Sequence, residues 1–248
     1  MNGGDTILRV ENLRKQFDGI VAVDDVTAEF RRDELHAIIG PNGAGKTTFF
    51  NLLTGALSPT SGTIVFEGED ITHAAPSEIA RRGLIRSYQV TKLFDGLTVL
   101  ENVAIAVQSR ENAYNFWGAT DPAIDERAYE ILEQVDLTSK ADSLAENLSH
   151  GEQRTLEIAV ALGTEPKLLL LDEPTSGMSP EETREVIGLV GDLRTEFPII
   201  LIEHKMSVVN EVADRILVLH NGRKLADDRP EVVKQDEEVR RVYLGGTA

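Results

Sequence analysis

The sequence predicts an α/β fold: a core sheet of buried strands, an antiparallel β layer ahead of it and an inserted α-helical subdomain. Three observations carry that expectation. Residues 167–172 and 199–203 are apolar runs without alternation, as strands covered on both faces require. Residues 7–17 and 21–30 alternate apolar and polar side chains, the pattern of half-buried strands, with the turn dipeptide Asp18-Gly19 between them. From about residue 90 to 163 the strand patterns stop and helical spacing takes over.

The elements follow in order. Residues 34–40 read as a buried strand through His36-Ala37-Ile38-Ile39, and Phe49-Phe50-Asn51-Leu52-Leu53 can start a helix. Residues 63–66 are a strand and 67–70 a turn. Pro76 opens a helix to about Gly83, with Arg81 and Arg82 at the end where the helix dipole favours cations. Residues 84–88 are a strand candidate that ends at Gln89. In the helical stretch, residues 99–107, 122–135 and 152–162 have the right periodicity, with Asp121 as N-cap and Pro122 at the first helical position of the second. Residues 112–120 between the first two read as a loop carrying Trp117. Residues 180–195 are the helix between the two apolar strands. Residues 216–220 and 223–226 form a hairpin about Asn221-Gly222, and 236–244 close the chain as a short helix.

Composition narrows the class. With 248 residues and 41% hydrophobic content, the chain can bury an ample core. Its longest strongly apolar runs, such as 197–202, are far short of a membrane span, and Met1-Asn2-Gly3-Gly4-Asp5 lacks the features of a signal peptide. A cytoplasmic protein is expected. The absence of cysteine excludes disulfides, thiolate zinc sites, Cys-ligated iron–sulfur clusters and cysteine nucleophiles. The net charge of −17 argues against nucleic acid or anionic lipid as a main partner. Such a surface also suits a salt-rich cytosol, where a short Debye length relieves self-repulsion.

The chemistry centres on Gly40-Pro41-Asn42-Gly43-Ala44-Gly45-Lys46-Thr47-Thr48, between a strand and a helix. This is the setting in which G-x-x-x-x-G-K-[ST] counts as a phosphate loop. The glycines let successive N–H groups turn toward an anion, and the helix adds the positive end of its dipole. Lys46 is expected on the terminal phosphates and the Thr47 hydroxyl on Mg²⁺. Leu171-Asp172-Glu173 ends a strand in two carboxylates: Asp172 suits Mg²⁺ through water, and Glu173 can activate the attacking water. Ile202-Glu203-His204 ends another strand in a histidine that could hydrogen-bond the phosphate and hold the carboxylate in register. In Leu148-Ser149-His150-Gly151-Glu152-Gln153, Ser149 and Glu152 make a capping box. The Ser149 hydroxyl, the Gly151 N–H and the helix N-terminus also form a second anion site, which makes sense if two chains pair head to tail.

These motifs, in this order, resemble the ATP-binding subunits of ATP-binding-cassette (ABC) transporters over nearly the whole chain. The resemblance implies a P-loop NTPase (RecA-like) core: 1–89 and 164–248 form the nucleotide-binding core with its β layer, and about 90–163 the helical subdomain that carries the signature loop. It implies that Phe17 stacks on adenine. It also implies that Gln89 joins the Mg²⁺ site, senses the γ-phosphate and relays that state to membrane subunits. Ser176, Gly177, Met178 and Ser179 become the loop that crosses the dimer interface. The implied partners are ATP, a second ATP-binding subunit in a homo- or heterodimer, two membrane permease subunits and an external solute-binding protein, with the chain held at the inner face of the membrane. Two positions depart from the common pattern: His150 stands where Gly is usual, and Ser179 where Asp or Asn is usual.

Within the family, several stretches are similar to the branched-chain amino acid importers: Ser87-Tyr88-Gln89, Leu93-Phe94 before residues 97–103, the Leu-Ser-His-Gly signature, Ile202-Glu203-His204 and the ending Val242-Tyr243-Leu244-Gly245. Urea-type importers and lipopolysaccharide-export ATPases share much of this pattern. A kinase or GTPase does not explain the signature or His204, and no Asn-Lys-x-Asp motif is present. A soluble ABC ATPase acting on DNA or ribosomes usually has tandem cassettes or a long coiled-coil insertion, which this chain lacks.

Overall fold

The computed structural model describes residues 6–87, 93–110 and 122–243. Asp18 and Gly19, both at positive φ (37° and 96°), turn the chain tightly enough for β1 (Thr6–Phe17) and β2 (Ile20–Arg31) to pair antiparallel. β4 (Ser61–Phe66) joins the other side of β1, and the two-residue β5 (Glu69–Asp70) completes a sheet ordered β2-β1-β4-β5. The stretch 67–70 is therefore a turn plus a short edge strand, not a turn alone.

The second sheet is ordered β10-β9-β3-β8-β7-β6. Its members β3 (Leu35–Ile39), β6 (Leu84–Arg86), β7 (Leu168–Asp172), β8 (Ile199–Ile202) and β9 (Arg215–His220) run parallel. Only β10 (Arg223–Asp228) is antiparallel, folded back on β9 through Asn221-Gly222. Side chains of β7 divide by parity. Leu168 and Leu170 join a core with Phe49, Phe50 and the β layer, whereas Leu169 and Leu171 join a core with the helices. Both faces are thus dry, which is why the strand reads as an unbroken leucine run.

Between β6 and β7 lie α3 (Val99–Arg110), α4 (Pro122–Gln134), 3₁₀ turns at Thr138–Lys140 and Ala145–Asn147, and α5 (His150–Gly163). They pack through Val103, Ala128, Ile131, Leu132, Leu156 and Ala159, in one core with the underside of the sheet. α6 (Pro180–Leu193) connects β7 to β8. Here α1 is Lys46–Leu53 and α2 is Pro76–Arg81. Three differences from the sequence reading stand out. α5 begins at His150, two residues early, because Ser149 caps it. Helices α7 (Met206–Val212) and α8 (Pro230–Gln235) were not expected, and the last helix, α9, is Glu237–Tyr243. Gln89, the loop with Trp117 and the cap at Asp121 lie outside the described residues. Among the described residues no helix is long and apolar enough to cross a membrane.

Candidate nucleotide site

The parallel strands all deliver their C-terminal ends to one edge of the sheet, where open α/β sheets bind ligands. β3, central and wholly buried, delivers the glycine-rich loop. Gly40 packs so closely that a Cβ there would stand 2.4 Å from the Leu219 carbonyl oxygen. Gly45, at φ +100°, would place a Cβ 2.4 Å from the Ala22 carbonyl oxygen, and the Gly222 N–H donates to Ala44 O at 3.0 Å. The loop is therefore clamped between β2 and the β9–β10 turn. Gly45 is also the N-cap of α1, with no side chain capping the helix and no acid in its first turn, so the positive end of the dipole is left for a ligand. Pro41, Asn42, Gly43 and Thr48 are at least partly open to solvent and Thr47 is exposed, whereas Ala44 is buried behind them.

Lys46 is almost fully buried, and its ammonium donates to the carbonyls of Gly40 (2.6 Å) and Pro41 (3.3 Å). Burial pushes its pKa down, and the carboxylates of Glu173 and Asp172 push the other way. The Lys46 charge therefore lies within electrostatic reach of both strand-end carboxylates.

Asp172 is the last residue of β7. Its Oδ2 is bonded to Nη2 of Arg86, the last residue of β6, and Arg86 is itself only 4% exposed. Nη1 of Arg86 donates to Asn51 Oδ1 at 2.7 Å, and the guanidinium lies 5.5 Å from the centre of the Phe50 ring. Glu173 follows with φ +45°, a left-handed conformation that costs a non-glycine residue roughly 1–3 kcal/mol. Its N–H donates to Ile202 O at 3.0 Å, and its half-exposed carboxylate lies 3.7 Å from Nδ1 of His204. That separation is too long for a hydrogen bond but within reach of one small shift. Glu203, by contrast, is completely buried, accepting from the Thr175 hydroxyl (2.7 Å), the Thr175 N–H (3.2 Å) and the His204 N–H (3.2 Å). It anchors the start of the loop that runs through Ser176, Gly177, Met178 and Ser179.

The capping box is present. Ser149 Oγ accepts from Glu152 N–H at 3.2 Å, and Glu152 Oε2 accepts from Ser149 N–H at 2.8 Å, which draws the Glu152 pKa below its ordinary value. Leu148 anchors this loop in the core. Ser179 repeats the device at α6 with Glu182. The Glu182 carboxylate spans both helices. Oε2 accepts from Ser179 N–H (2.9 Å) and Oε1 from Gly151 N–H (3.2 Å), with its pKa lowered mainly by the Ser179 bonds. His150 stands beside Gly177, and His150, Gln153, Arg154, Glu157, Glu173 and Ser176 line a cavity of about 260 Å³. The signature loop, the interface loop and Glu173 of one chain are therefore neighbours. Phe17 ends β1 as a residue 41% exposed, with the Lys15 ammonium 4.9 Å from the centre of its ring. Among the described residues no group of three or more His, Asp or Glu could hold a metal alone. The hydroxyl of Thr47 and the carboxylate of Asp172 are hard oxygen donors of the kind that suits Mg²⁺ shared with substrate phosphates.

Arg86, Arg154, Glu182 and Glu203 escaped the sequence reading as structural parts of the site. Their partners lie 86, 18, 31 and 28 positions away along the chain. Only the spacing of Glu182 from Ser179, a second capping box, was legible.

A phosphate loop beside two strand-end carboxylates, with a capped signature helix and an antiparallel β layer, defines an ATP-binding cassette. The ABC transporter family matches residues 23–176, and the chain belongs to that family of transport ATPases. A second family, the branched-chain amino acid ATP-binding cassette transporter, matches residues 223–248. The chain is 40% identical, over an alignment 250 positions long, to the high-affinity branched-chain amino acid transport ATP-binding protein LivG of Salmonella typhimurium, covering 96% of this chain and 98% of the relative. BraF of Pseudomonas aeruginosa, described in the same words, gives the same identity and coverage. Among solved structures, the ADP conformation of MJ1267, an ATP-binding cassette of an ABC transporter, has a TM-score of 0.87 at 33% identity, covering 97% of this chain and 99% of that one. The dimeric structure of MJ0796, a bacterial ABC transporter cassette, has a TM-score of 0.76 at 25% identity, covering 90% and 98%.

Proposed function

We propose that this chain is the ATP-hydrolysing subunit of a branched-chain amino acid importer, at the inner face of the membrane. It would close head to tail on a second ATP-binding subunit and drive two permease subunits fed by an external binding protein. The observation that carries the substrate class is the end-to-end likeness to LivG and BraF, joined to the match at the chain's C-terminus. The substrate itself would never touch this chain.

In the proposed reaction, Phe17 stacks on adenine and the loop from Gly40 to Thr48 wraps the phosphates. Lys46 exchanges its bonds to the Gly40 and Pro41 carbonyls for phosphate oxygens. Thr47, Asp172 (through water) and Gln89 would hold Mg²⁺, which would supply positive charge to offset that of the phosphates. Glu173 takes a proton from water as the water oxygen bonds to the γ-phosphorus in line. The bond to the β-phosphate oxygen breaks, leaving ADP and phosphate. His204 reaches the γ-phosphate from beside Glu173. The counterparts of Ser149 and Gly151 on the second subunit close the site and stabilise the charge that develops. Gly151 N–H is held by Glu182 in the single chain, so a partner's phosphate would take the place of that carboxylate.

Glu173→Gln tests the base and the pairing together. The variant should bind ATP, hydrolyse it at least about 10²-fold more slowly and elute as a dimer with ATP. A chain that stays monomeric with ATP and hydrolyses at the normal rate refutes both roles. Proteoliposomes carrying the complete complex should take up leucine in an ATP-dependent manner. Uptake of urea in place of leucine would move the assignment to the urea-type importers.

A further inference from the structure

Arg154 sits in the second turn of α5, just past the signature loop, with its side chain 11% exposed. Its guanidinium makes three bonds to one turn of backbone. Nη2 donates to the carbonyls of Asp172 (2.7 Å) and Glu173 (3.1 Å), and Nε to that of Pro174 (3.4 Å). Nη1 donates to Glu157 Oε2 at 2.5 Å, which holds the fork in place.

The first two carbonyls belong to the two peptide planes that flank the Glu173 Cα. Because peptide planes are rigid, fixing both fixes φ and ψ of the residue between them. Glu173 is held in the left-handed region, at φ +45°. Released, a non-glycine residue favours φ below zero, and that rotation would swing the carboxylate away from its present aim.

We propose that Arg154 is a positioning residue for the catalytic base, holding the strained backbone that aims Glu173. This rests on the proposed role of Glu173 as that base. A planar fork with five N–H donors suits the task, and a lysine ammonium cannot reproduce its geometry.

The test compares Arg154→Ala and Arg154→Lys with the parent chain and with Glu173→Gln, reading kcat, KM for ATP and nucleotide affinity by equilibrium titration. Arg154→Ala should lower kcat by about 10- to 10²-fold, the scale of a misplacement of roughly 1 Å, with ATP affinity unchanged. Arg154→Lys should fall between it and the parent. In the Glu173→Gln background, loss of Arg154 should add less than about twofold, because groups that act as a unit are not additive. Unchanged kcat in both variants, a parallel loss of ATP affinity, or a full multiplicative loss on top of Glu173→Gln overturns the proposal. Should Arg154→Ala fail to fold, Arg154→Lys decides by the same readouts. A parent chain without ATPase activity, or a Glu173→Gln variant with the normal rate, removes the base itself and this proposal with it. A normal Glu173→Gln effect with an inert Arg154 removes this proposal alone.

Discussion

Arg86 and Asp172 form a pair at the end of the sheet, with side-chain exposures of 4% and 15%. Replacing Arg86 with Met keeps much of the apolar stem against Phe50 but leaves the Asp172 charge without its cation. Breaking a buried pair from one side costs about 3–5 kcal/mol, because a desolvated charge is left behind. Asp172 retains some solvent at the mouth of the site, so the lower figure, about 3 kcal/mol, applies. In a chain of this size that corresponds to a melting temperature lower by about 6–12 °C. Circular dichroism melts without nucleotide measure it directly. Asp172→Asn in the Arg86→Met background removes the stranded charge and should recover most of the loss. If Asp172 serves Mg²⁺ as proposed, ATP with Mg²⁺ should raise the melting temperature of Arg86→Met more than that of the parent, and ATP with EDTA should not. An Arg86→Met melt within about 2 °C of the parent, or a double variant less stable than the single one, would refute the reasoning.

Two further tests address the scaffold. His36 is buried in β3 and its Nε2 accepts from Arg31 N–H at 2.9 Å, so although Glu34 Oε2 is 3.3 Å away the ring stands neutral beside it. Burial first, and then the charges of Arg215 and Arg31, push its pKa down to about 3 from 6.5. The unfolded chain therefore takes up the proton first. Stability from this group is full above about pH 6.5 and is lost toward pH 3 at up to about 1.4 kcal/mol per pH unit. Urea denaturation between pH 7 and 5 should show a shallower decline for His36→Gln than for the parent, and equal slopes would count against the buried neutral ring. Gly45→Ala combines the disfavoured φ with a backbone clash at Ala22 and should cost at least about 1–3 kcal/mol and abolish ATP binding. Gly43→Ala, with nothing within 4 Å of its Cβ position, should cost less in the same melts.

What was legible in the sequence was what depends on neighbours along the chain. The leucine run of β7, the Asn221-Gly222 hairpin and the Ser149–Glu152 box each carry their reason within a few residues. Helix α7 does not. Met206, Val208, Val209 and Val212 suit a strand as well as a helix, and its N-cap, Lys205, makes no side-chain cap. Packing of Val209 against Ala37, Ile39, Ile216 and Val218 decides it. The same limit applied at the site. The motif residues could be named because spacing implies a loop or strand end. The side chains that hold those motifs in place could not, since a lone Arg or Glu ordinarily faces water and the partners of Arg86, Arg154, Glu182 and Glu203 are distant in sequence. Ser179 shows the intermediate case: its departure from the common Asp or Asn still leaves a sound N-cap, and Glu182 three residues on completes the box.

The arrangement of these supporting bonds bears on how two nucleotide sites could influence each other. α5 begins at the signature loop, which faces the second subunit's nucleotide in the proposed dimer, and it reaches its own chain's β7 turn through Arg154. Glu182 supplies a second tie, from α6 to the Gly151 N–H, through a single bond of 3.2 Å to a side chain with rotatable torsions. The two ties differ in stiffness. A guanidinium bonded to three successive carbonyls and braced by Glu157 can shift only as a unit with that turn, whereas the Glu182 carboxylate can turn away and still cap α6. A phosphate arriving at Gly151 would therefore remove the Glu182 tie between α6 and α5 while leaving α5 attached to the Glu173 backbone. Any displacement of α5 by the second nucleotide would then be felt first at Glu173, the proposed base that activates water at the first.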